Sequence, residues 1–186
     1  MKKYIGAVVG FAIILIAITY FSGTSDRGIV KQKLEDYKEI MNIDLYENYP
    51  DSPTKVVELF CDIERLMYSA NFKDNKEDYI GNLIEKQCQL YDQELIDYNG
   101  GKDFIKLNAT KDIEKFLEKG YKIIETKLHT SSAINADQDG NVLKYVNVIQ
   151  YVNKGDNSYK MYCLRQDGRG KWKILTFTNI DQFTIS

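Results

Sequence analysis

His129 is the chain's single histidine. An unperturbed imidazole titrates near pH 6.5, so His129 is the one side chain suited to general-base work at neutral pH. It sits in a polar run with Thr126, Thr130, Ser131 and Ser132, which reads more simply as a surface or rim position. Asp92 and Glu94 flank an apolar stripe and fit solvated or capping carboxylates better than a catalytic pair, while Tyr91 lies on the stripe and reads as core. Asp137, Asp139 and Asn141 open like a calcium loop, but Val142 occupies the sixth position and Val148 the twelfth, where glycine and a bidentate glutamate belong. That segment reads as a hairpin turn. Asn108-Ala109-Thr110 fits a glycosylation sequon but doubles as a helix start. Glycine-rich phosphate loops, HExxH, GxSxG and paired CxxC are all missing from the sequence. No metal site and no cofactor is expected.

Cys61, Cys88 and Cys163 are widely spaced, each beside apolar residues, and read as small buried hydrophobes. If one bridge forms, Cys61–Cys88 between neighbouring helices is the pair to test. Arg165, Arg169 and Trp172 belong to a basic, aromatic hairpin. Trp172 is expected to close the core with Lys171 and Lys173 in solvent; the alternative is a docking hairpin.

The elements that position these groups begin with a membrane signal. No charged residue lies between Lys3 and Asp26, and the 22-residue run Tyr4–Ser25 is apolar through Ile5, Phe11, Leu15 and Phe21. As a helix it would span about 33 Å, against a bilayer core of about 30 Å. The apolar run exceeds a usual signal core and lacks a good cleavage triplet, so an uncleaved anchor is the reading and a cleaved signal the alternative. Lys2 and Lys3 in front favour a cytoplasmic N-terminus, which places the body outside the cytoplasm on a single pass through the cell membrane. The expected organisation is an anchor over 1–25, a connector over 26–50 and one domain over 51–186.

The chain has 25 basic and 27 acidic residues among 186, so the part after the two lysines carries about −4. Charges of both signs are interspersed, which argues against nucleic acid as a partner. Ser52-Pro53 starts a helix reaching Ala70, with Val56, Phe60, Ile63 and Met67 on one face. A second helix is predicted over Lys76–Tyr98, on the stripe Ile80, Leu83, Ile84, Gln87, Tyr91 and Leu95, and a third over Thr110–Lys119. After Gly120 the period turns to alternation, predicting strands over Tyr121–Ala133, Val142–Val152, Tyr159–Gln166 and Lys171–Thr178. Short Gly-bearing turns join them into an antiparallel meander. Helices followed by such a meander make an α+β fold. Along the second strand Tyr145, Asn147, Ile149 and Tyr151 share one face, and with His129 they form the candidate pocket or sheet face.

The pieces NYPDSPTKVVELF, LYDQELIDYN and YCLRQDGRGKWKI resemble a family of membrane-anchored extracytoplasmic proteins of Clostridia-type Firmicutes, similar in architecture to the NTF2-like (nuclear transport factor 2-like) superfamily. The resemblance implies a transmembrane helix followed by a cone, about three helices on a curved antiparallel sheet of about four strands. NTF2-like domains serve as enzymes, ligand pockets and scaffolds, so the fold does not select a function. A ketosteroid-isomerase-like site would require an acid and a tyrosine donor converging in the cone. The expected role is a membrane-anchored binding or scaffold domain. The alternatives are a small pocket enzyme of isomerase or dehydratase type, or a component of a secretion, conjugation or envelope assembly. A protein partner or a second copy is expected on the sheet face.

Overall fold

The computed structural model describes residues 26–68 and 76–183. Helix α1 (Asp26–Asn42) leads through a turn into α2 (Pro53–Met67), then come α3 (Lys76–Cys88), α4 (Gln93–Tyr98) and α5 (Lys102–Glu118). Strands β1 (Ile123–Ala136), β2 (Val142–Val152), β3 (Ser158–Gln166) and β4 (Trp172–Asn179) follow. They pair antiparallel in the order β1-β2-β3-β4. Tyr91 adds a short parallel bridge to Ile174 on the far side of β4.

Local chemistry explains most boundaries. The Ser52 hydroxyl accepts from Lys55 N (3.3 Å), capping α2 with Pro53 in its first turn. In both long hairpins an aspartate organises the turn. Asp137 Oδ1 accepts from Asp139 N and Asn141 N, and Asp167 Oδ1 accepts from Arg169 N and Lys171 N. Each turn ends on a glycine at positive φ, Gly140 at 83° and Gly170 at 75°, a conformation that costs other residues. The Asp137–Asn141 segment is therefore a hairpin turn.

Alternation along β2 divides the sheet into two faces. Val146, Val148, Gln150 and Val152 are buried on the helix side. There α2 supplies Val56, Val57, Phe60, Ile63 and Met67, all buried. The core centre is aromatic: Phe60 lies 5.4 Å from Tyr162, 5.7 Å from Tyr91 and 6.3 Å from Phe177, centroid to centroid. Cys61, Cys88 and Cys163 are buried free thiols, so Cys61 and Cys88 do not bridge.

The expected fold class needs correction. No described helix is long and apolar enough to cross a membrane. The proposed anchor, with Ile5, Phe11, Leu15 and Phe21, lies outside the described residues. The α+β class stands, but among the described residues five helices replace about three, and the bridge at Tyr91 gives the sheet a fifth position. Instead of an open cone, rings of Phe60, Tyr91, Tyr162 and Phe177 fill the space between α2 and the sheet.

The predicted helix over Lys76–Tyr98 is two helices, because Gln89–Asp92 leaves the helical path to serve the edge of β4. Ile174 N donates to Leu90 O (2.9 Å), and Asp92 N donates to Ile174 O (2.8 Å). Asp92 then caps α4 by accepting from Glu94 N (3.0 Å). Thr110 does not start a helix; it lies inside α5 and its hydroxyl donates back to Lys106 O (2.9 Å).

Candidate functional site

Three polar constructions lie around this scaffold. Arg165, on β3, is the most heavily paired. Its Nε and Nη2 donate to Asp92 Oδ2 (2.8 Å) and Oδ1 (2.9 Å), a two-pronged fork that charge assistance strengthens. Nη2 also lies 2.7 Å from Glu94 Oε1, and Nη1 lies 3.6 Å from Asp137 Oδ2. Hydrogen bonds to Asp92 and Glu94 push its pKa above the ordinary arginine value. One guanidinium thus ties β3 to the start of α4 and to the β1–β2 turn. With its fork occupied, it serves architecture.

Beside it lies a groove of about 720 Å³, lined in part by Tyr46, Asp92, Lys102, Arg169, Lys171 and Lys173. Lys171 and Lys173 are not free in solvent, contrary to expectation. Lys171 Nζ donates to Leu45 O (3.1 Å) and Tyr46 O (3.0 Å), and Lys173 Nζ donates to Gln89 O (2.6 Å). The Tyr49 ring lies between them, 5.0 Å from one ammonium and 4.1 Å from the other. Its hydroxyl donates to Trp172 O (2.8 Å), and burial raises its pKa. Trp172 is half-buried and packs against the core, as expected. These contacts clamp the segment before α2 onto β4. Arg169 lines the groove from the exposed turn.

The third construction is the sheet face turned away from the helices. Tyr145, Asn147, Ile149 and Tyr151 all lie there. His129 joins them because it pairs with Asn147 in the β1–β2 register. β3 contributes Tyr159 opposite Ile149, Met161 opposite Asn147 and Cys163 opposite Tyr145. Ile149 is only 5% exposed although no described helix covers this face, and Asn147 Oδ1 is buried with no hydrogen-bond partner. Phe183 meets the Tyr159 ring edge-on at 5.7 Å between centroids and covers one end. His129 is exposed on β1, with no carboxylate pairing in the described residues, and it is not brought into a catalytic arrangement.

A family model described as a domain of unknown function, DUF6715, matches residues 1–177 of the chain. The chain belongs to this family. No curated protein matches it.

In this DUF6715 chain one buried acid between α2 and the sheet is a residue that pattern reading passes over. Glu64 projects from α2 into the core at 5% exposure. Gln150 Nε2 donates to its Oε2 (2.6 Å), Lys160 Nζ lies 3.5 Å from Oε1, and the Tyr162 hydroxyl donates to Oε2 at 3.5 Å. Burial first, then the nearby Glu64 charge, pushes the Cys61 thiol and the Tyr91 and Tyr162 phenols well above their ordinary ranges. The signal in the sequence is a glutamate on the apolar stripe of α2, with Gln150 and Lys160 at inward positions of β2 and β3. The Tyr91 hydroxyl is buried and unpartnered. Acid and tyrosines therefore converge, but inside a packed aromatic core, where they hold helix to sheet. Among the described residues no group of three or more His, Cys, Asp or Glu side chains could hold a metal ion.

Proposed function

We propose that this protein is a non-catalytic binding module that holds a protein partner on the sheet face turned away from its helices, tethered at the outer side of the cell membrane. The observation that carries the reading is the face itself: Tyr145, Ile149, Tyr151, Tyr159 and Met161 lie together on it, around the unpaired acceptor Asn147 Oδ1. A half-buried apolar sheet face that no described helix covers fits an interaction surface. The partner that fits is a protein surface presenting an apolar patch. Packing of Phe60, Tyr91, Tyr162 and Phe177 supports binding on this face over chemistry in an internal pocket.

The membrane placement rests on the uncharged run Tyr4–Ser25 behind Lys2 and Lys3. The resemblance to extracytoplasmic proteins of Clostridia-type Firmicutes belongs with the same reading. Tethering suits local assembly better than turnover of a diffusing metabolite.

Ile149 is too buried for a clean probe, so the test uses a photo-crosslinking residue at Tyr151, with Glu58 on the exposed side of α2 as control. In cells of the native host, Tyr151 is expected to give one reproducible adduct that Glu58 does not. An adduct at twice the chain mass assigns this face to a second copy instead. Equal labelling at Glu58, or no adduct at Tyr151, removes the reading.

A further inference from the structure

The two edges of the sheet are treated differently. The β4 edge is closed by Leu90–Asp92, through the two backbone bonds to Ile174. The β1 edge meets no strand among the described residues, although β1 is the longest strand at 14 residues. An open edge strand presents unpaired N–H and C=O groups that template pairing with another chain. Irregularities fall between Ile123 and Glu125 and between Thr130 and Ile134, so the regular window is Glu125–Thr130. Ile124, at its margin, is 59% exposed.

We propose that two copies of the chain pair antiparallel along β1, about a two-fold axis at Thr126. The charges choose the register. An axis at Thr126 sets Glu125 of each copy opposite Lys127 of the other, with Thr126 against itself. Opposite charges across strands stabilise, and like charges destabilise. An axis at Lys127 sets Lys127 against itself, and an axis at Leu128 sets Lys127 against His129. Registers that oppose unlike faces put Glu125 against Leu128 or Thr130. Within one chain Lys127 Nζ lies 3.8 Å from Glu125 Oε1 and over the Tyr151 ring; both side chains are about half exposed, 51% and 56%, so each can exchange to a second copy.

Residues directly opposite in an antiparallel pair face the same side of the sheet. The Thr126 axis therefore sets both helix layers on one side and merges two four-stranded sheets into one. The two faces turned away from the helices become continuous. This inference is independent of which protein that face holds.

The test uses the full chain in detergent. Thr126→Cys opposes itself across the axis, at a Cα separation of about 4.5–5.5 Å, within disulfide reach. Mild oxidation is expected to give a covalent dimer from Thr126→Cys but not from Lys127→Cys. The wild type, whose three cysteines are buried, serves as blank. By light scattering, Lys127→Glu is expected to dissociate the dimer at least tenfold more readily, and the exchange Glu125→Lys with Lys127→Glu to restore it. A monomeric wild type, no Thr126→Cys dimer, a Lys127→Cys dimer in its place, or failure of the exchange to restore association overturns the proposal.

Discussion

At the scale of single residues, the polar groups of the core divide by whether they are satisfied. Glu64 gathers Gln150, Lys160 and Tyr162, and Arg165 gathers Asp92, Glu94 and Asp137. Removing Gln150 or Lys160 from around Glu64, or Arg165 from Asp92, strands a buried carboxylate without solvent, whereas Glu94 is 66% exposed and keeps its water. The Tyr91 hydroxyl is the opposite case, buried with nothing to bond. An unmade hydrogen bond costs more than its absence. Tyr91→Phe is therefore expected to raise the unfolding free energy by about 1 kcal/mol, read as a higher urea midpoint at unchanged slope. A loss of stability of that size would mean that the hydroxyl has a role in the folded protein.

Between elements, the clamp on the segment before α2 makes a separable prediction. Lys171 holds the carbonyls of Leu45 and Tyr46, and the Tyr49 ring lies between Lys171 and Lys173. Lys171→Met keeps the aliphatic stem and removes the ammonium. It is expected to speed limited proteolysis within Asp44–Asp51 several-fold, while the global melting transition shifts by the equivalent of about 1 kcal/mol or less. Unchanged cleavage would show that the carbonyl contacts do not hold the segment. The same scale shows what pattern could reveal. The change from helical to alternating period at Gly120, the N-cap at Ser52 and the turns at Asp137 and Asp167 are local, and each was legible. The break at Gln89–Asp92 was not, because the stripe from Ile80 to Leu95 keeps helical spacing through it. The cause of the break is hydrogen bonding to Ile174, distant in sequence. The early start of α5 was hidden because Gly101 offers no capping side chain. The outward residues of β2 could be grouped from alternation alone, but alternation does not say which face the helices cover. Glu64 was hidden by its type, since a glutamate on a helix is ordinarily assigned to solvent.

Taken as a whole, the molecule buries proton-bearing groups that resist losing their protons. Burial pushes the Cys88 thiol up to about 11, and raises Cys61, Cys163, Tyr49, Tyr68, Tyr91 and Tyr162 from their ordinary values. A group whose folded pKa lies above its unfolded one stabilises fully below the unfolded value and loses that contribution as pH rises. For Cys88 the window runs from about pH 9 towards 11. Lys86 and Lys173, lowered by desolvation, act in the opposite sense, so a difference measurement isolates the thiol. The stability gap between wild type and Cys88→Ala is expected to narrow across that window in urea titrations. A gap independent of pH would refute the linkage.

The bridge between Tyr91 and Ile174 also sets an order of events during synthesis. Chains fold from the N-terminal side as they emerge, yet the edge groups of Leu90 and Asp92 wait for a strand made more than eighty residues later. Until β4 leaves the ribosome, β3 is itself an open edge, and the inward Tyr162 and Leu164 lack Phe177 and Ile174 beside them. A message truncated shortly before Trp172 would thus yield helices and three strands with a raw apolar border, a product suited to chaperones and proteases rather than to assembly. Pairing of β4 with β3 and with Leu90–Asp92 is the step that closes this border.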